Sequence, residues 1–183
     1  MPEKDAAMAC SAPEHEITSG MKELKVRRAV KEDIFVLSLV IRWSFRDVAE
    51  RFSLTPENCP RHPSNCTDEW VKKDMARGVR YYILEDNKET AGCVALDFRE
   101  REVCYLERLA VLPEYRRQGC GRMLVRHALA EAASLGAGRV GIGIIARHEE
   151  LRRWYRNLGF EEGEEAEFPQ LPFTVAFLSY RLP

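Results

Sequence analysis

The stretch Val111-Leu112-Pro113-Glu114-Tyr115-Arg116-Arg117-Gln118-Gly119-Cys120-Gly121-Arg122 constrains this chain more than any other. An apolar strand end runs through a proline turn and a basic Gly-x-Gly corner into a helix. Two glycines let the backbone approach a ligand closely, a helix start leaves N–H groups without intrahelical acceptors, and the arginines add charge. Together they suit an anion such as a pyrophosphate. Two better-known phosphate loops are excluded: a dinucleotide fingerprint needs a third glycine where Leu124 stands, and a Walker loop needs Lys-Ser/Thr where Arg122-Met123 stands.

Local charge matters because the global charge is balanced. Lysine plus arginine (28) nearly equals aspartate plus glutamate (29), so no overall field points to nucleic acid or an anionic membrane. At 183 residues and 45% hydrophobic content, the chain can bury one good core and leaves little for a second domain. Residues 1–20 mix Ala, Ser, Pro, Glu and Lys without periodicity and hold no run of signal-peptide length, which reads as a disordered leader. No stretch approaches a membrane span. The expectation is a cytoplasmic protein whose six cysteines are thiols.

The elements follow from periodicity. Leu24 to Val30 alternates as a first strand, and Ile34, Leu37, Ile41, Phe45 and Val48 fall on one helical face. A proline-bearing loop from Leu54 to Asn65 leads to a short helix that Thr67 can cap and Gly78 can end. It is expected to form a lid or wall. Val79–Leu84, Ala91–Phe98 and Val103–Leu112 are β-rich runs joined by polar turns, expected as three consecutive antiparallel strands.

After the corner, Leu124, Val125, Ala128, Leu129, Ala132 and Leu135 form a helical stripe ending at Gly136 and Gly138. Arg139 to Ala146 follows as a strand, with Gly141 and Gly143 marking a close approach to its backbone. Strand, helix and strand make a right-handed crossover, so 103–112 and 139–146 should run parallel. Leu151, Trp154, Tyr155 and Leu158 define a second helix that ends at Gly159-Phe160. Glu161 to Glu167 is a loop or weak strand, and Phe173 to Leu182 is a last strand.

This order resembles the GCN5-related N-acetyltransferase (GNAT) family over about residues 24–183. The resemblance rests on Arg28 to Ile34, on Leu109 to Gly121 as a coenzyme A motif, and on Trp154 to Phe160 as the tyrosine and Gly-Phe signature. It implies an α/β fold with a mixed sheet whose two central parallel strands splay apart, flanked by helices, with coenzyme A between them. Pantetheine would bond to the backbone of Leu109, Ala110 and Val111, and the pyrophosphate to the loop of Arg116, Arg117, Gln118, Gly119, Cys120, Gly121 and Arg122. The implied activity is direct acetyl transfer from acetyl-coenzyme A to an amine, of a small molecule or a protein.

A lysine-like amine with pKa about 10.4 is only about one part in two thousand neutral at pH 7, so it must shed a proton. The resemblance makes Glu107 the candidate general base, since it lies two residues before Leu109. It places Tyr155 as the general acid for the leaving thiolate. His148 stands where the family often has Asn, as a hydrogen-bond donor toward the cofactor.

Other readings remain open. One is a coenzyme A binding module without catalysis. Another is a metal-stabilised interaction protein, because Cys59-x-x-His62-x-x-x-Cys66 supplies three zinc-type ligands without a sequence-near fourth; free thiols are the expected state. Trp43, Phe45, Arg46 and Trp70 fall where the family shapes its acceptor site. Coenzyme A and an amine are the expected partners, with neither nucleic acid nor membrane; a homodimer is left open.

Overall fold

The computed structural model describes residues 23–99 and 102–183. The expected leader at 1–20 lies outside them, as do Glu100 and Arg101 in the turn before the third antiparallel strand.

The chain opens with β1 (Leu24–Arg28), then places α1 (Ile34–Ser44), α2 (Arg46–Arg51) and α3 (Asp68–Ala76) before the hairpin of β2 (Arg80–Asp86) and β3 (Glu89–Asp97). It continues through β4 (Val103–Val111), α4 (Cys120–Ser134), β5 (Arg139–Ile145), α5 (Glu149–Arg156), β6 (Glu161–Ala166) and β7 (Val175–Arg181). The strands form one seven-stranded sheet in the order β1-β2-β3-β4-β5-β7-β6. All neighbours are antiparallel except β4 and β5, which run parallel as the crossover requires.

Period-two alternation decides which helix meets which face. Tyr82, Leu84, Val94 and Leu96 point toward α4 and share a core with Leu124, Val125, Ala128 and Tyr155. Tyr81, Ile83, Cys93 and Ala95 point the other way and meet Leu37, Val40 and Ile41 of α1 and Val71 of α3. Strands covered on both faces read as nearly continuous apolar runs, as β2 and β3 do.

Two local features differ from the sequence expectation or refine it. The stripe from Ile34 to Val48 is not one helix: it stops at Ser44 and restarts at Arg46, with Phe45 between them at φ −101° and ψ 2°. The interruption frees the Ser44 carbonyl, which accepts a 2.7 Å bond from Arg116. The glutamate run is a strand after all. Arg152 pairs with Glu162 at 2.8 Å and Glu165 at 2.7 Å, offsetting like-charge repulsion along β6. Thr67 caps α3 as expected, its hydroxyl accepting from the Trp70 N–H at 3.4 Å, and Gly78 follows the helix at φ +98°.

The parting of β4 and β5 positions everything that follows. Their register pairs Val103 with Arg139, Cys104 with Val140 and Tyr105 with Gly141, and then the strands separate. On its other side β4 stays paired with β3, but with a bulge: Cys93 faces Ala110 while Ala95 faces Glu107, so β4 carries an extra residue at Arg108-Leu109. Arg108 takes the left-handed conformation there, φ +51°. No helix among the described residues is long and apolar enough to cross a membrane.

Gly92 keeps β3 close to the upper end of β4. A Cβ at Gly92 would stand 2.4 Å from the Ala110 carbonyl oxygen and 3.2 Å from Val111 Cα, both backbone atoms that cannot swing away. Gly92→Ala should therefore cost about 1–3 kcal/mol of stability, read as a lower denaturant midpoint. An unchanged midpoint would contradict this packing.

Candidate active site

Between the separated strands lies a cavity of about 1130 Å³. β4 lines it with Glu107, Arg108, Leu109 and Val111, and β5 with Ile142, Gly143 and Ile144. Ala110 instead packs its methyl into the α1–α3 core, 1% exposed. Because β5 has turned away, the β4 backbone beyond Tyr105 has no strand partner on that side among the described residues. Peptide groups in that position need an acceptor or donor from water or a ligand.

The basic corner closes one end. Gly119 is the N-cap of α4 at φ +86°, and its carbonyl accepts from the Met123 N–H at 3.0 Å. The amides of Gly121 and Arg122 thus precede the first intrahelical acceptor and stay available at the positive end of a 15-residue helix. Arg117 is also left-handed, φ +61°, and Arg117, Gly119, Gly121 and Arg122 all border the cavity. Neither Arg117 nor Arg122 makes an ion pair among the described residues. Gln118 donates to the Glu114 carbonyl at 2.6 Å, bracing the turn.

Two residues of the corner are otherwise engaged. The Arg116 guanidinium donates to the carbonyls of Val111 (3.1 Å) and Ser44 (2.7 Å) and pairs with Asp47 (2.5 Å), while its N–H donates to Pro113. It fastens the corner to the break between α1 and α2. Cys120 buries its thiol in the α4 core, 1% exposed.

At the opposite end of β4, Glu107 borders the cavity and is ion-paired with Arg99. Burial pushes its carboxyl pKa above the ordinary value, with Arg99 and Arg108 pulling the other way. Arg99 also binds Asp97 (2.6 Å), Asp97 binds Arg77 (2.7 Å), Arg77 binds Asp74 (3.0 Å), and Asp74 binds Arg108 (2.7 Å), the residue next to Glu107. Three guanidinium-linked carboxylates thus form a continuous charge circuit around the bulge. Asp74 also accepts from the Tyr81 hydroxyl at 2.8 Å. Arg108 reaches α3, lying over the Trp70 ring, and its Nε is buried without a partner among the described residues. Sequence reasoning missed Arg99, Arg108, Asp74 and Asp97, whose residue types carry no local signature.

Tyr155 is 4% exposed, borders the cavity, and is held edge-on between Trp154 (4.8 Å) and Phe160 (5.2 Å). Burial pushes its phenol pKa up, favouring the protonated form. His148 is the N-cap of α5: its Nδ1 accepts from the Leu151 N–H at 3.3 Å and its ring packs on Phe52. Burial pushes its pKa down, favouring the neutral ring, and with Nδ1 accepting, the proton of that ring falls on Nε2. Of the expected acceptor-side residues, Phe45 borders the cavity. Trp43 is 55% exposed and stacks with Arg46.

The Cys59, His62 and Cys66 side chains are engaged separately. Cys59 packs with Ala49, Leu54 and Ile145, Cys66 packs in the α1–α3 core, and His62 Nδ1 is taken by Ser64 at 2.8 Å. Among the described residues no three His, Cys, Asp or Glu side chains converge on an ion. Cys59, Cys66, Cys93, Cys104 and Cys120 are free thiols.

Known proteins match this geometry. A model of the acetyltransferase (GNAT) family matches residues 43–160, and the chain belongs to that family, whose members use acetyl-coenzyme A. An uncharacterized N-acetyltransferase of Chlorobaculum tepidum is 30% identical over 99 residues, 54% of this chain and 61% of that protein. The uncharacterized N-acetyltransferase YjgM of Escherichia coli is 26% identical over 139 residues, 74% and 81% of the two chains. The chain thus spans less than two thirds of the Chlorobaculum relative's length. Among solved structures, the ribosomal-protein-S18-alanine N-acetyltransferase of Escherichia coli superposes with a TM-score of 0.70 at 15% identity, covering 87% of this chain and 94% of that one. Salmonella typhimurium yncA, solved with its cofactor acetyl-CoA, gives 0.63 at 18% identity, covering 87% and 94%. These likenesses establish the GNAT fold.

Burial pushes the His62 pKa down to about 4 from 6.5. The unfolded chain takes up a proton that the folded one refuses, so this stability is full above 6.5 and is lost as pH falls toward 4. The denaturant midpoint should drop across that window more steeply than in His62→Asn. Equal slopes would contradict a buried neutral imidazole.

Proposed function

We propose that this chain is an N-acetyltransferase that moves the acetyl group from acetyl-coenzyme A directly to an amine. The observation that carries the reading is the unpaired β4 backbone ending at a helix N-terminus flanked by Arg117 and Arg122. A pantetheine arm needs a strand-like edge and a pyrophosphate needs clustered N–H donors, and here the one runs into the other. Leu109, Ala110 and Val111 serve the first through their backbone, and Gly119, Gly121 and Arg122 serve the second. Arg116 keeps the corner in place from behind, and His148 Nε2–H is available as a donor at the start of α5.

Glu107 is the general base in this account. The acceptor reaches the site as an ammonium and Glu107 takes one proton from it. Its nitrogen then forms a bond to the acetyl carbon as the carbon–sulfur bond breaks. Tyr155 gives its proton to the departing sulfur and regains one from the nitrogen through solvent, so the sum is amide, free thiol and one released proton. A sulfur with a parent pKa near ~8.5 is easier to serve than an amine near ~10.4, so the base contributes more than the acid.

Coenzyme A should raise the melting temperature, with about 2.7 kcal/mol of added stability at a hundredfold excess over Kd. Reversing both cavity arginines (Arg117→Glu, Arg122→Glu) should remove most of that shift. No shift at millimolar ligand would sink the assignment.

Once an acceptor is in hand, Glu107→Gln should lower kcat by ~10²–10⁴-fold. The wild-type rate should decline on the acid side at a pH above the ordinary carboxylate range, because burial raises this pKa. Tyr155→Phe should lower kcat with little change in coenzyme A affinity. Turnover indifferent to both changes would remove these two roles.

A further inference from the structure

The walls of the cavity say something about the acceptor. Besides the arginines of the corner, Arg51, Arg61, Arg99 and Arg108 border it, against the carboxylates of Asp47, Glu107 and Glu150 at the same walls. Arg51 is tied to Glu150 at 2.9 Å and Arg108 to Asp74 at 2.7 Å. Arg61 has no ion pair among the described residues. It stands on a braced loop, where the Asn65 side chain donates to the Cys59 carbonyl at 3.3 Å and the His62 N–H donates to the same carbonyl at 3.0 Å. Phe45, Leu171, Phe173 and Phe177 supply apolar wall.

The Arg99–Glu107 pair is the informative feature. Both side chains border the cavity, and Arg99 is half-exposed where Glu107 is largely covered. A carboxylate that must accept a proton from an amine cannot keep its full bond to a guanidinium. An acceptor with only an ammonium would split the pair and leave Arg99 with Asp97 alone. An acceptor that also carries a carboxylate exchanges both halves at once: its ammonium takes Glu107 and its carboxylate takes the vacated guanidinium. The pair in the free site is thus the inverse template of a zwitterion.

Resting on the acetyl-transfer reading above, we propose that the acceptor is a free amino acid with an apolar side chain. Glu107 receives its ammonium, Arg99 receives its carboxylate, and the phenylalanine wall receives its side chain. Asp97, itself bonded to Arg77, holds Arg99 beside Glu107. The surplus of guanidinium on the walls argues against a polyamine, which would meet mainly like charge.

The test uses the full chain loaded with coenzyme A and matched ligand triplets: L-phenylalanine, L-phenylalaninamide and phenethylamine, with the same sets built on leucine and methionine. Binding is followed by calorimetry and transfer from acetyl-coenzyme A by thiol release. In at least one set the acid should bind about tenfold or more tightly than its amide and its decarboxylated amine. Arg99→Gln should bring that ratio close to one, and Arg99→Lys should restore part of it. Coenzyme A binding by each variant reports that it is folded. Equal binding within every set, preference for the amine, or no acceptor binding while coenzyme A is bound would each overturn the proposal. Failure of coenzyme A to bind the unmodified chain would instead strike the acetyl-transfer reading, and this inference with it.

Discussion

The site depends on one constraint: two parallel strands that begin as neighbours and do not stay so. β4 and β5 are paired for three register positions and then diverge, leaving a run of β4 backbone with partners on one side only. A buried strand edge of this kind is costly unless water or a ligand completes it. The divergence opens the 1130 Å³ cavity, aims the strand at the α4 N-terminus and brings α5 with Tyr155 to the opposite wall. Helices on both faces of the sheet hold the opening in place. Gly92 allows the close approach of β3 that keeps β4 anchored on its paired side.

The bulge at Arg108 is the second constraint, and it acts through charge. In a regular strand, successive side chains face opposite ways. The extra residue puts Arg108 against Trp70 and Asp74 of α3, next to Glu107, which borders the same cavity. The buried carboxylates Asp74 and Asp97, 7% and 5% exposed, would be costly alone. Linked through Arg77, Arg99 and Arg108 they become a continuous circuit whose charges act on Glu107. Arg116 does comparable work at the other end, joining Ser44, Asp47 and Val111, which are remote in sequence.

What the sequence makes legible follows from the range of the interactions. The Gly-x-Gly corner, the α4 stripe and the Tyr155 to Phe160 ending are written in residues a turn or two apart, and the family resemblance is carried by them. The parallel pairing of β4 and β5 follows from the crossover rule, though the length of the pairing does not. The break at Phe45 is invisible because the apolar spacing continues across it, and the partner that uses the freed carbonyl, Arg116, is 72 residues from Ser44. The charge circuit is hidden for the same reason: its members are arginines and carboxylates of ordinary type, gathered from α3, β3, β4 and the residues just after the first two. The Cys59/His62/Cys66 spacing misleads in the other direction, since ligand-like types at suitable intervals point into separate cores.

Amide hydrogen exchange with and without saturating coenzyme A tests the central claim most directly, because it reads the backbone groups that the strand divergence leaves open. The account predicts new protection concentrated at Leu109–Val111 and at Arg117–Arg122, with little change along β6 and β7. Protection confined to other elements, or none at saturation, would contradict the claim that the parted strands and the corner together form the donor site.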